Sequence, residues 1–441
     1  MKSIRRSIAR SHLLTAICGL GFVLHSHEAT LAQQEAPPVK ANPADMYKSN
    51  SHSDEVDPRM MAIATELQVA THDLKEHMKK MRRLLMQFNL SEGSAQQRQL
   101  REDWLSLVIK GRSLHRRFVE ETLKEYEAKP DNEGKNAEVL FAVAARNANS
   151  DRYDESVDVV RALIKHEFRQ KTFELCAALT LAGTGDYEAA KPFAEAARAH
   201  LQENVERMLA DKAVDKDQKE KVFKQAAELD SLLADLSDID RQKGLLEAEL
   251  KAREADAAGE PLPRVLITTT KGEFEIELFE NQAPNTVANF ISLCEKGFYN
   301  RLTFHRVLAH FMAQTGCPEG NGRGGPSYTI AGEHSRPDHR NFFRGTLGMA
   351  LSTRDPNMAA VDPDSGGSQF FICYTTRSHL NGGYTAFGRV VRNMDLLSDI
   401  VHVDPDEKGE SESPPDEILS TKVLFKRNHE YKPETIPLTG R

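Results

Sequence analysis

The chain has 441 residues, 28% of them charged, and a formal net charge of −8. That length accommodates two or three domains. Charges of both signs are interspersed, so the clustered basic face that nucleic-acid binding needs is absent, and no nucleic-acid partner is expected.

Lys2, Arg5, Arg6 and Arg10 form a basic start, and LLTAICGLGFVL (13–24) is an apolar run. TLA (30–32) then places small residues ahead of a cut after Ala32. This is the pattern of a secretory signal peptide over 1–32, with a run too short to span a bilayer. IRR (4–6) matches the twin-arginine route poorly, and Ile17 is too bulky for a lipobox at Cys18. An exported protein, periplasmic or secreted, is expected, with no stable membrane span after cleavage. Cleavage removes four basic residues and Glu28, so the remainder is more acidic. Cys176, Cys294, Cys317 and Cys373 remain, with no CxxC pair. Export permits a bridge among the last three, but buried free thiols are the preferred reading.

Residues 33–56 are polar and proline-containing and read as a disordered linker. Asp57-Pro58 starts a helix, with Asp as cap and Pro in the first position. A heptad seam follows: Met60, Ile63, Leu67, Ala70, Leu74, His77, Met81, Leu84 and Phe88. A second runs Leu100, Trp104, Leu107, Gly111, Leu114 and Phe118. Two long amphipathic helices with a short loop predict an antiparallel hairpin. His77 is expected to snorkel at the seam edge. Further on, DRYDESVDVVRA (151–162) and GDYEAAKPFAEA (185–196) align Tyr153 with Tyr187 and Ala162 with Ala196, a period that resembles a tetratricopeptide repeat. Ordinary helical hairpins account for those matches equally well. A third long helix is predicted over 218–253, on a seam of Val222, Gln225, Leu229, Leu232, Leu236, Ile239, Lys243, Leu246 and Leu250. The stretch 57–255 thus reads as a helical domain that contacts protein partners or acts as a spacer, and 256–263 as a linker.

From Arg264 the period changes to alternation. VLITTTKGEFEIELF (265–279) predicts a hairpin turning at Lys271-Gly272, with Phe274, Ile276 and Leu278 on one face and Glu273, Glu275 and Glu277 on the other. APNTVANFISLCEKG (283–297) is a helix opened by Pro284 and closed by Gly297. Short strands and glycine-rich loops follow, then an acidic solvated loop (404–417), a last strand (418–427) and a polar tail over 429–441. Many strands with few helices suggest a closed barrel over 264–428.

The chemistry concentrates in FHRVLAHFMAQTG (304–316) and GSQFFICYTTRSHLNGGYTAFG (367–388). These hold an arginine and glutamines among aromatics, with no HExxH, no P-loop lysine and no nucleophile elbow. No cofactor and no metal are expected. His305 and His310 read as scaffold. His334 and His339 lack further metal ligands. With GNGRGGPSY (320–328) and LGMALS (347–352), these motifs closely resemble the cyclophilin family of peptidyl-prolyl cis-trans isomerases, in family order and near family spacing over about 264–427.

The resemblance implies an eight-stranded antiparallel β-barrel capped by helices. The whole chain is then α plus β, a helical region followed by that barrel. It implies Arg306 as the catalytic arginine, and a substrate groove of Phe311, Met312, Gln314, Ala350, Gln369, Phe371, Leu380, His379 and Tyr384. Proline-containing polypeptides would be the substrates, and folding of exported proteins the role. A non-catalytic proline-peptide binding module and a helical scaffold are the competing readings. His379 stands where many members carry tryptophan, which implies weak cyclosporin binding. Tyr384 replaces a common histidine and Leu351 a common asparagine. The insert STRDPNMAAVDPDSG (352–366) lies beside the groove and is expected to narrow substrate choice.

Overall fold

The structure, a computed structural model, describes residues 58–90, 94–170, 172–210, 216–352, 361–405 and 415–438. The expected signal peptide (1–32) and linker (33–56) lie outside the described residues, as do 353–360 of the insert and 406–414 of the acidic loop. The chain divides into two compact units. One holds the residues up to Arg146 together with Ser156–Gln170; the other holds Asn147–Glu155 and everything from Lys171 onward. The helices after Lys171 therefore group with the strands, across the composition change at 256–263.

In the first unit, α1 (Pro58–Leu90) and α2 (Ser94–Ala128) run along each other. Ala70, Leu74, Met81 and Phe118 are buried in the seam. Arg117 of α2 bridges Glu66 at 2.9 Å and Asp73 at 3.4 Å on α1. His77 does not snorkel: it is 3% exposed, and burial lowers its pKa. Three residues after Leu74 and four before Met81, it occupies the middle of the apolar stripe, where no path to water is open. The first turns of α3 (Lys135–Asn149) and all of α4 (Val157–Lys165) complete this unit. Tyr126 donates to Asn132 and Asn132 to the His166 carbonyl, both at 2.6 Å, tying α2 to the end of α4.

The second unit begins with the last residues of α3 and the turn that follows them, together 147–155, ending in a 3₁₀ helix (Tyr153–Glu155). Then come α5 (Phe173–Gly183), α6 (Tyr187–Ala210), α7 (Lys216–Ser237) and α8 (Ile239–Ala258). Residues Cys176–Ala182 of α5 are all buried, as in a helix enclosed on every side. Tyr153 and Tyr187 are both buried, but Tyr153 sits in the 3₁₀ turn and Tyr187 opens α6.

The single helix expected over 218–253 is two helices. Asp238 interrupts it, and its side chain accepts from the Arg241 amide at 3.4 Å to cap α8. The break rotates the inward stripe. In α8 the buried positions are Gln242, Glu249 and Asp256, seven apart, while Leu250 and Lys243 of the expected seam are exposed. A heptad of polar residues faces in because it meets polar partners, described below.

The strands are β1 (Arg264–Thr269), β2 (Gly272–Leu278), β3 (Arg306–Leu308), β4 (Met312–Thr315), β5 (Tyr328–Thr329), β6 (Thr346–Met349), β7 (Phe370–Cys373), β8 (Ala386–Arg392), β9 (Ile418–Phe425) and β10 (Ile436–Pro437). Eight of them form one antiparallel sheet in the order β3-β4-β7-β6-β8-β2-β1-β9. Its two ends meet. Thr303 bridges Glu417, the Arg301 amide donates to the Ile418 carbonyl at 2.7 Å, and the Phe304 amide to the Asp416 carbonyl at 2.8 Å. The sheet thus curls into the eight-stranded antiparallel barrel, whose interior is filled by Val265, Ile267, Phe274, Ile276, Leu347, Phe370, Ile372 and Phe387.

The cap helix α9 (Pro284–Glu295) lays Phe290 against Tyr299, Phe370 and Phe387, with ring centroids 5.1–5.4 Å apart. Its N-terminus is capped from a distance: Glu333 accepts from the amides of Asn285 (3.1 Å) and Thr286 (2.8 Å). Gly297, at φ 66°, closes it in the left-handed conformation glycine tolerates.

Three details differ from the sequence reading. The β1–β2 turn is Thr270-Lys271, since Thr269 pairs with Gly272. The Thr269 hydroxyl accepts from the Lys271 amide at 3.1 Å and donates to the Gly272 carbonyl at 2.9 Å, locking that register. Asp416 is not a solvated loop residue: it is fully buried, accepting from Thr270 Oγ1 and the Val401 amide and pairing with Lys271. The polar tail is also built in, as β10 pairs with β5 and Tyr431 is buried, donating to Glu280 at 2.9 Å.

Candidate active site

The hairpin β3–β4 and strand β7 form the floor. The registers place Arg306 opposite Gln314, Leu308 opposite Met312, and Gln314 opposite Phe371. Period two sends Met312 and Gln314 to the same face, and β7 adds Phe371 beside them. Gln314 Nε2 donates to Gln369 Oε1 at 3.1 Å. Gln369 Nε2 in turn donates to the carbonyls of Gly322 and Gly324, each at 2.8 Å, so the glycine-rich loop is tied to the floor. The Ala350 amide donates to the Gln369 carbonyl at 3.0 Å, which sets the facing wall.

A second apolar cluster, separate from the barrel interior, gathers Met312, Phe342, Phe371, Cys373, Leu380 and Ala386, with Leu308, Phe311, Ala350 and Tyr384 packed against it. The Arg306 guanidinium lies over the Phe311 ring, 5.7 Å from its centroid. Among the described residues no carboxylate pairs with Arg306. Tyr384 meets Phe371 edge-on at 5.8 Å. Burial raises the Tyr384 pKa, and the Arg306 charge partly opposes this. His379 stands at the rim, 6.1 Å from the Phe311 ring. Partial shielding from water and then the Arg377 charge hold its pKa below the ordinary value, so it is neutral at pH 7. His305 is buried and its pKa is lowered by burial, which leaves it neutral as well. The structure therefore brings Arg306, Phe311, Met312, Gln314, Ala350, Gln369, Phe371, Leu380 and Tyr384 to one place, with His379 at its edge. Among the described residues no group of three histidine, cysteine or acidic side chains could hold a metal ion.

Residues 264–423 match the family model described as cyclophilin type peptidyl-prolyl cis-trans isomerase/CLD. A peptidyl-prolyl cis-trans isomerase of Synechococcus elongatus is 45% identical over 128 residues, which are 29% of this chain and 80% of that protein. The chain belongs to the cyclophilin-type peptidyl-prolyl cis-trans isomerases. Peptidyl-prolyl cis-trans isomerase B of Bacillus subtilis is 42% identical over 132 residues, 30% of this chain and 85% of that one. A crystal structure of a cyclophilin type isomerase from Cryptosporidium parvum is 29% identical, with a TM-score of 0.32, covering 38% of this chain and 99% of that one.

Several residues of this isomerase's pocket were not evident from its sequence. Phe342, from the loop before β6, stacks on Phe371 at 5.7 Å and 22°. Gly348 of β6 lies beneath both rings: a Cβ there would stand 2.3 Å from Phe371 Cζ and 2.6 Å from Phe342 Cε1. Arg377 is buried, with its guanidinium 4.9 Å from the Phe311 centroid and a hydrogen bond to the His310 carbonyl. Two contacts reach the segment carrying His379 and Leu380 from the helices. Tyr187 Oη lies 2.8 Å from Thr376 Oγ1, and Gln242 Nε2 donates to Ser378 Oγ at 3.0 Å. The all-buried run 370–378 was legible as a strand and loop, but nothing in its spacing announced these helical partners.

Proposed function

We propose that this isomerase accelerates X–Pro bond rotation in exported polypeptides and so assists their folding, with Arg306 as the catalytic group. The observation that carries this is a guanidinium that, among the described residues, has no carboxylate partner at the wall of an apolar pocket. A paired arginine would be neutralised by its neighbour; with no such neighbour among the described residues, this one suits a ligand.

Amide resonance gives the X–Pro bond a rotation barrier of about 18–20 kcal/mol, and the uncatalysed exchange takes on the order of tens of seconds. No bond has to break, so the site must only favour the twisted amide over both planar forms. Twisting returns a lone pair to the prolyl nitrogen. A donor already aimed there stabilises that lone pair in the transition state alone. Arginine suits this role because it is always charged and its donor fork is rigid. Phe311, Met312, Phe371 and Leu380 would receive the pyrrolidine ring and exclude water, with the guanidinium beside Phe311. Gln314 and Gln369, held by each other and by the glycine loop, would present amide groups to the substrate backbone. Ala350, Tyr384 and His379 would shape the groove walls. The Asp362 amide donates to the Ser352 carbonyl at 2.8 Å, close in sequence to Ala350, which supports the reading that the insert lies beside the groove and narrows substrate choice. The basic-then-apolar start ending at Ala32 supports export to the periplasm or beyond, and the α1–α2 hairpin is a candidate contact surface for client chains.

The test is kcat/KM of the full chain on proline tetrapeptides. Arg306→Ala is expected to lower it by about 10²-fold or more while the fold is retained. A variant that matches the wild type would overturn the assignment of Arg306.

A further inference from the structure

We infer that Asp151, a residue of the helical part of the chain and outside the segment matched by the family model, is a positioning residue for the proline pocket. The inference rests on the isomerase reading of that pocket. Asp151 lies in the turn that follows α3 and is 1% exposed. Both its carboxylate oxygens accept from the His310 backbone amide, each at 3.2 Å, and Oδ1 lies 3.0 Å from His310 Nδ1. The Tyr153 hydroxyl donates to the same oxygen. Arg344 Nη2 (3.0 Å) and Ser398 Oγ (3.2 Å) donate to the Asp151 carbonyl, so the turn itself is anchored on two sides.

His310 is the hinge of the β3–β4 hairpin and precedes Phe311. Its φ is 58°, a conformation costly for a residue with a side chain. Asp151 has the same φ of 58°. Two strained residues facing each other through three contacts persist only if the contacts outweigh the strain. The His310 carbonyl is held from the opposite side by Thr375 Oγ1 at 2.7 Å and by Arg377. His310, the residue before Phe311, is therefore held at its amide by Asp151 and at its carbonyl by Thr375 and Arg377, and Phe311 is the ring shared by Arg306, Arg377 and His379. A carboxylate is needed because hydrogen bonds to a charged acceptor are about twice as strong as neutral ones. Burial alone would raise the Asp151 pKa; the His310 contacts and then Tyr153 outweigh it and hold the carboxyl below its ordinary value.

The experiment compares three variants of the full chain by kcat/KM on a proline tetrapeptide and by NMR titration with the same peptide. Asp151→Ala is expected to lower kcat/KM about ten-fold and weaken peptide binding, since small misplacements of positioning groups carry such costs. Asp151→Asn keeps one oxygen in place and should lose only about three-fold. Arg152→Met breaks the largely buried pair with Asp399 without touching the hairpin; it should lower stability while kcat/KM stays within about two-fold of wild type. Wild-type rates in both Asp151 variants would overturn the inference, and so would an Arg152→Met loss as large as that of Asp151→Ala, because the turn would then merely dock. Should Asp151→Ala not fold, Asp151→Asn against Arg152→Met decides on the same terms. Should the wild-type chain lack turnover, the isomerase reading fails while the titration still reports whether Asp151 shapes the pocket.

Discussion

Gly348 shows how one missing side chain shapes the pocket. Its φ is unremarkable; it is required because Phe371 and Phe342 lie where a Cβ would stand. Gly348→Ala must push the Phe371 ring toward the space read as the proline seat. Overpacking of this kind costs about 1–3 kcal/mol, and peptide affinity should fall with it. Denaturant unfolding and peptide titration check both, and a variant that binds as tightly as wild type would show that the ring has slack. The legibility of the site follows the same logic. Met312 and Gln314 alternate along β4, Arg306 faces Gln314 from β3, and Gln369 and Phe371 lie two apart at the start of β7, so motif and period reveal them. Phe342 comes from a loop, and Gly348 matters only through the rings above it. Asp151 has no pattern at all, since a turn residue with positive φ is recognised by what it touches.

At the level of elements, α8 is joined to the barrel by charge. Arg340, 2% exposed at its side chain, donates to Glu249 through Nε (2.9 Å) and Nη2 (2.8 Å) and to Asp256 through Nη1 (2.7 Å), with its guanidinium 4.1 Å from the Phe279 centroid. Burial would raise the Glu249 pKa, but Arg340 and then Arg253 overcome this and hold it low. Removing Glu249 leaves two buried Arg340 donors without their acceptor and only Asp256 to balance the charge. Glu249→Ala should therefore lose about 3–5 kcal/mol, whereas replacing Arg340, Glu249 and Asp256 together by apolar residues of similar size should recover most of it. Urea midpoints separate the two; an undiminished midpoint in the single variant would mean the triad contributes nothing. This network also explains the misread helix. A heptad of Gln242, Glu249 and Asp256 looks like a solvated face until Ser378 and Arg340 are seen opposite. The hairpins α1–α2 and β1–β2 and the cap α9 were legible because apolar period and capping residues are local. The inward turn of Gln242, Glu249 and Asp256 and the burial of Asp416 depend on partners far away in sequence.

Over the whole molecule, acid acts in two stages. His77 and His305 carry lowered pKa values in the fold because burial disfavours their charge. The unfolded chain takes up their protons first, so stability declines as pH falls through about 6.5. Asp151 and Glu249 are held below the ordinary carboxylate value, and the stability they contribute is present above about 4 and is lost below it. His429 has the opposite sign, raised by the Glu430 backbone carbonyl and then by Glu280, but it is exposed and its effect is screened. The thermal midpoint should thus drop between pH 7.5 and 5.5, before any carboxylate is protonated, and drop again near pH 4. A midpoint that holds or rises over the first interval would contradict the burial of both rings.

The barrel's first strand, β1, has β2 on one side and the late β9 on the other. During synthesis the leading strand must wait with one edge bare until nearly all of the domain behind it has been made. Such distant pairing slows folding and leaves a ready template for strand addition by other chains. A peptidyl-prolyl isomerase is, by its own topology, a slow and exposed nascent chain that gains from being shielded until its ring of strands can shut.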